Sequence, residues 1–267
     1  MVPKGNKREH SLSSGVVCLS YDTVDILLSI GCGEKIIGKP SGINKPGLEN
    51  AVNIGGFGSP NIDTIVSLKP ELVIGYSEIC SKTIAELINR NINTLTLHHT
   101  SLNEIYDSIS LLGNITGNTG EASELVASLQ KEFRGISAFV AKGARRPKVY
   151  FEEWNKPSVC GVQWVSEIID IAGGKDCFAG RCRAKKYLER EVTAFDVAAA
   201  APEIILASWC GKPVDIKSFR QRPGWESIPA VKTGRIYEVP GEFILQPGPS
   251  LVKGAKFLHE IFNKQAS

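Results

Sequence analysis

The chain has 267 residues, enough for one large domain or for two lobes with cores of their own. Its 42% hydrophobic and 22% charged content is that of an ordinary globular protein, and a net charge of +3 gives no argument for nucleic acid or an anionic membrane as partner. No apolar run reaches the roughly 18 residues of a membrane span, and seven scattered cysteines suit a reducing compartment better than a disulfide framework.

Residues 1–15 are polar, lack the apolar core of a secretory signal, and are expected to be disordered. Val16–Ser20 then reads as a buried strand, and Asp22 or Thr23 as the cap of a helix carrying Val24, Ile26, Leu27, Leu28 and Ile30. Gly31 and Gly33 end it, and Lys35–Gly38 reads as a short strand. Pro40, Gly42, Pro46, Gly47, Gly55, Gly56, Gly58 and Pro60 are loop signals. A short helix, Ile62–Leu68, stops before Pro70, and Leu72–Gly75 is a compact strand. A helix around Ile79–Asn89, a strand Thr94–Leu97 and a helix Leu102–Leu112 complete the first half.

The longest helical pattern follows, from Asn118 to Gly143. Asn118 with Glu121 has the form of a capping box, and Leu125, Val126, Leu129, Phe133, Ile136 and Val140 make one face apolar. Such a helix spans about 35 Å at about 1.5 Å per residue, long enough to connect two lobes. The expected division is therefore an N-terminal lobe over 16–117, a connecting helix over 118–143 and a C-terminal lobe over 144–267.

The second half repeats the order of the first. Val149–Glu152 is a strand, Trp164–Ile171 a helix, Ala194–Ala201 a helix stopped before Pro202, and Ile204–Ala207 the next strand. The run Lys69-Pro70-Glu71-Leu72-Val73-Ile74 parallels Ala201-Pro202-Glu203-Ile204-Ile205-Leu206. A strand at Arg235–Val239, a Pro/Gly loop through Pro249 and a helix to about Phe262 close the chain. Alternating strands and helices imply an α/β fold with parallel sheets and helices on both faces. Ligands of such sheets sit outside the carboxyl ends of the strands. Tyr21, Tyr76, Glu153, Trp154, Trp209 and Cys210 occupy those ends, so two lobes with facing strand ends are expected to form an aromatic-walled cleft.

Phe57, in Gly-Gly-Phe-Gly, and Phe243 extend the aromatic set, whereas Trp164 lies inside a helical pattern and belongs to the core. Glu152 and Glu153 are paired acids at a strand end, but strand neighbours point to opposite faces and are not expected to act together. Lys212, Arg220 and Arg222 bring positive charge to the region. His98-His99 lacks a Cys or His at zinc spacing, and Cys177, Cys182, Cys160 and Cys210 can cluster only through folding. No Walker A loop, H-E-x-x-H or G-x-S-x-G occurs, so no catalytic or metal-binding residues are assigned.

The run Asn61–Ile74, its counterpart Ala201–Leu206, and Gly224–Tyr237 resemble the substrate-binding proteins of ABC importers for cobalamin, siderophores and haem. The resemblance covers the chain from Val16 onward and implies two Rossmann-like lobes joined by one long helix, with the ligand in the cleft between lobes. Within that family the chain looks closest to the cobalamin-binding branch. Phe57 and Tyr76 fall where that branch has pocket tryptophans, and Phe243 lies in the matching C-terminal loop. Asp63 and Glu226 match the acids through which the family docks onto arginines of its permease, although Asp63 is shorter than the usual glutamate.

The expectation is a non-catalytic, monomeric protein that holds a corrinoid such as cobalamin, or a similar large metal chelate. Phe57, Tyr76, Trp154, Trp209 and Phe243 supply walls, and Glu153, Lys212, Arg222 and Gln246 supply orienting polar contacts. Its partners are that small molecule and an ABC permease. The resemblance implies the periplasm or the extracellular surface if a signal has been trimmed; a complete chain implies the cytoplasm. Two alternatives stand beside it. One is a ferric-siderophore or haem binder; the other is an enzyme or a metal- or corrinoid-handling protein using Glu152, Glu153 and clustered cysteines.

Overall fold

A computed structural model describes residues 12, 15–140 and 145–263. Most of the expected disordered start, and the helix stop expected at Gly143, lie outside the described residues. The chain divides into two compact units, residues 1–99 with 106–127 and residues 100–105 with 128–267.

The first unit contains β1 (Val16–Cys18), α1 (Tyr21–Ser29), β2 (Ile36–Lys39), β3 (Val52–Asn53), β4 (Gly55–Gly56), β5 (Ser59–Pro60), α2 (Ile62–Ser67), β6 (Leu72–Tyr76), α3 (Ser77–Asn89) and β7 (Thr94–Leu97). Five of its strands form a parallel sheet in the order β3-β2-β1-β6-β7. The apolar runs at Val16–Cys18 and Val73–Ile74 are fully buried because helices cover both faces of such a sheet. The chain moves outward from β1 to β2 and β3, then crosses to the other side of β1 to lay down β6 and β7. The order therefore reverses between β1 and β6, where a parallel sheet leaves a crevice at its carboxyl edge.

Helices α4 (Leu102–Thr116) and α5 (Thr119–Ala138) follow, and the division into units falls within both. The pattern expected to run to Gly143 forms an α-helix of 20 residues, about 30 Å long, that passes through Gly135. Leu129, Phe133 and Ile136 are buried on its apolar face. Asn118 directs its side-chain amide to the carbonyl of Ile30 at the end of α1, where a helix leaves acceptors unfilled. At α1 the cap position belongs to Ser20, not to Asp22 or Thr23, because the helix begins at Tyr21.

The second unit contains β8 (Lys148–Asn155), β9 (Ser158–Cys160), α6 (Gln163–Ile171), β10 (Lys175–Asp176), α7 (Ala194–Ala200), β11 (Ile204–Ala207), α8 (Ile216–Arg220), α9 (Pro229–Thr233), β12 (Ile236–Glu238), α10 (Gly241–Ile244) and α11 (Leu251–Asn263). Its sheet runs β10-β8-β11-β12 in parallel, with β9 folded back antiparallel on β8. The order reverses between β8 and β11, so this unit too has a switch point at its carboxyl edge. The internal sequence repeat has a backbone counterpart. Lys69 and Ala201, each just before the proline that leads into a strand, both adopt φ of 49°, a left-handed conformation that non-glycine residues rarely take.

Candidate functional site

The carboxyl edge of the second sheet is built by four consecutive residues, Glu152 to Asn155, where β8 runs past the end of its partner β11. Successive strand residues alternate faces, so each meets a different neighbour. The carboxylate of Glu152, wholly buried, accepts from Arg222 at 2.5 and 2.8 Å, from the Trp209 indole at 3.1 Å and from the Tyr150 hydroxyl at 3.0 Å. Arg222 lies over the rings of Phe219 and Trp225, 4.1 and 4.5 Å from their centroids. Burial, and then the negative charge of Glu152, push the Tyr150 hydroxyl well above its ordinary value, so it stays protonated and donates.

Glu153 turns the other way and receives Arg190 at 2.6 and 3.2 Å, while Arg190 also donates to the carbonyl of Cys160. Trp154 is half-buried, and its indole donates to the carbonyl of Lys156. The Lys212 ammonium lies 4.2 Å from the Trp154 ring centroid and 4.8 Å from that of Trp209, and donates to the Asn155 amide oxygen at 2.9 Å. Trp209 is only 6% exposed and stacks on Phe219 in the core of this unit.

In the first unit, Tyr76 ends β6 at the switch point and is half-buried. Its hydroxyl donates to the carbonyl of His99 at 3.3 Å, and its ring stacks on His98 with centroids 6.1 Å apart. His98 is exposed and His99 is fully buried, just past the end of β7. Beneath them, His99 sits 3.2 Å from the Ser108 hydroxyl and 3.9 Å from the Asp22 carboxylate. Burial raises Asp22 to about 6, against opposing hydrogen bonds from Ser20 and nearby backbone amides. Phe57 occupies the tip of the β4–β5 hairpin and packs against Tyr21, centroids 5.9 Å apart. Tyr21 is the first residue of α1, and its hydroxyl donates to the carbonyl of Ser41.

The other residues named from the sequence lie elsewhere. Phe243, in α10, meets Phe257 edge-on, and Gln246 is half-buried just beyond it. Asp63 is exposed near the start of α2 and ion-pairs with Arg90 at 2.8 Å; Glu226 is exposed. Trp164 is buried, as its helical setting predicts, with its indole on the carbonyl of Ile244. Among the described residues no group of three metal-ligating side chains comes together. Folding does bring Cys160 and Cys182 to 3.8 Å, with the Cys182 thiol also donating to Asp176.

Sequence reasoning missed Arg190, Asn155 and Tyr150. Arg190 lies in a region of short irregular turns without periodicity, 37 residues from its partner Glu153. Arg222 was expected to orient a ligand; instead both of its terminal nitrogens are engaged by Glu152.

The family described as Periplasmic binding protein matches residues 16–243. YvrC of Bacillus subtilis (strain 168), an uncharacterized ABC transporter substrate-binding lipoprotein, is 24% identical over 254 residues, which cover 92% of this chain and 78% of that one. The high-affinity heme uptake system protein IsdE of Staphylococcus aureus (strain Newman) is 25% identical, covering 88% of this chain and 83% of its own. The crystal structure of S. aureus IsdE complexed with heme matches the fold with a TM-score of 0.80, at 22% identity over 94% of this chain and 100% of that one. The periplasmic vitamin B12 binding protein BtuF of Vibrio cholerae matches with a TM-score of 0.72, at 18% identity over 94% of this chain and 98% of that one.

Proposed function

Because the chain belongs to the periplasmic binding protein family, we propose that it is the substrate-binding protein of an ABC-type importer and that it carries a large, flat metal chelate of the corrinoid or haem kind. The observation that carries this reading is the placement of aromatic rings at the switch point of each sheet. Tyr76 with His98 lies at one, and Trp154 with Trp209 beneath Lys212 at the other. Flat apolar walls with a few polar groups are what a large macrocycle requires. The relatives named for heme and for vitamin B12 support the same ligand class. The protein acts by binding and release, without catalysis, and delivers its ligand to a permease through Asp63 and Glu226.

The test is a titration with haem, cobalamin and cobinamide, read by tryptophan fluorescence and calorimetry. Saturable one-to-one binding of at least one of them, weakened by Tyr76→Ala or Trp154→Ala, is expected. No heat and no quenching from any of the three, with the protein shown to be folded, overturns the reading and directs attention to ferric siderophores. The exposed imidazole of His98 supplies an internal discriminator. If haem is the cargo and His98 reaches its iron, His98→Ala shifts the haem absorption band; a band unchanged in His98→Ala takes His98 away from the iron.

A further inference from the structure

The reading above leaves the periphery of the ligand undefined, and the charges at the second unit's edge constrain it. Three cationic side chains meet the residues Glu152 to Asn155. Arg222 is matched by the buried carboxylate of Glu152 through two hydrogen bonds, and Arg190 by Glu153 through two more. Both pairs are largely withdrawn from water, since the side chains are 18% and 0% exposed in the first and 6% and 18% in the second. Arg220, the remaining cation singled out in the sequence, has its guanidinium beside Gly234. An incoming anion gains little from a guanidinium that already holds a carboxylate in both arms.

Lys212 is different. It is exposed, and among the described residues no carboxylate pairs with it. It rests on two indole rings and one neutral amide oxygen. An ammonium has three donors in tetrahedral arrangement, and the Asn155 oxygen takes one of them. The indole contacts hold the charge in place without neutralising it. Lys212 therefore presents, on an aromatic deck, a positive charge that no carboxylate among the described residues neutralises.

We infer that the ligand docking at this edge presents an anionic group, a carboxylate or a phosphate, to Lys212 while its apolar face lies on Trp154. The inference rests on the proposed function and deepens it by naming the group of the ligand that Lys212 receives. Lys212 is thereby the residue that sets specificity among chelates sharing one macrocycle.

The experiment compares two pairs of probes in which the free carboxylates of one partner are masked in the other. One is haem and its dimethyl ester; the other is cobyric acid, with one carboxylate, and cobinamide, in which an amide replaces it. Binding is measured by calorimetry at 50 and 500 mM salt, about a tenfold range chosen to screen exposed charges. In whichever pair binds, the wild-type protein is expected to favour the acid by about tenfold, the discrimination typical of one charge-assisted hydrogen bond. High salt narrows that preference, Lys212→Gln abolishes it, and Lys212→Arg keeps it. Lys212 is exposed, so Lys212→Gln leaves the fold intact by circular dichroism. Equal binding of acid and neutral partner, or a preference that survives in Lys212→Gln, overturns the inference while the proposed function stands. Failure of all four probes to bind overturns both.

Discussion

The guanidinium of Arg222 and the carboxylate of Glu152, 70 residues apart in sequence, meet through two hydrogen bonds of 2.5 and 2.8 Å inside the second unit. The pair also fixes Trp209. The carboxylate that holds Arg222 accepts the Trp209 indole, and Arg222 lies against Phe219, on which Trp209 stacks. Removing one member leaves the other as a buried charge without compensation, a loss of about 3–5 kcal/mol. Arg222→Ala and Glu152→Ala are each expected to destabilise the protein on that scale in urea denaturation, and the double variant by less than their sum. A loss under about 1 kcal/mol for either single variant contradicts this account of the edge.

Asp22 gives the first unit a pH dependence of definite sign. Its folded value of about 6 lies above its ordinary value of 3.8, so between those limits the folded chain binds the proton more tightly than the unfolded one. Stability contributed by this group therefore falls as pH rises from about 4 to 6, opposite to a salt-bridged aspartate. A shift of this size corresponds to roughly 3 kcal/mol as an order of magnitude. The groups facing Asp22 are the His99 imidazole, the thiols of Cys18 and Cys80, and the carboxylate of Asp25. Asp22→Asn is expected to flatten the pH dependence over that window and to be more stable than wild type at pH 7. Parallel stability curves for the two proteins from pH 4 to 7 would remove the argument.

A close approach of backbones governs the C-terminal region. A Cβ on Gly254 of α11 would lie 2.2 Å from the carbonyl oxygen of Phe243, and a backbone atom cannot rotate away. Gly254→Ala must therefore push α10 from α11. The expected loss is about 1–3 kcal/mol, the usual cost of overpacking, with a matching fall in Tm. Because Phe243 sits at the contact, ligand affinity should fall with it if Phe243 is a ligand wall. Affinity unchanged in a destabilised Gly254→Ala protein would take Phe243 out of the site.

What the sequence discloses and what it conceals divide along a physical line. The sequence pattern located β6, β7, β11 and α11 to within a residue or two; β6 and β11 are compact apolar runs, each led in by a Pro-Glu pair. Alternation alone separated Glu152 from Glu153. The short helices α8, α9 and α10, of five, five and four residues, carry too few turns for any period to register. The partners of the edge were hidden for another reason. Arg222 and Arg190 join Glu152 and Glu153 only after the intervening chain has laid down its turns and strands. Trp209 was expected among the walls because it follows a strand end, yet it stacks on Phe219 and is only 6% exposed.

The docking proposal separates from the ligand proposal through Asp63 and Glu226. Both side chains are exposed, and Asp63 meets only the similarly exposed Arg90 among the ion pairs of the described residues. Exposed pairs of this kind add little to stability. Asp63→Ala and Glu226→Ala are therefore expected to keep the wild-type Tm and wild-type ligand affinity. If these acids meet arginines of a permease, both variants should nonetheless lose stimulation of permease ATPase activity in proteoliposomes. Charge reversal to Lys should cost more than truncation, because repulsion then replaces a missing attraction. Stimulation that persists in the double Lys variant would place the docking surface elsewhere. A loss of ligand affinity in either Ala variant would instead tie that acid to the binding site.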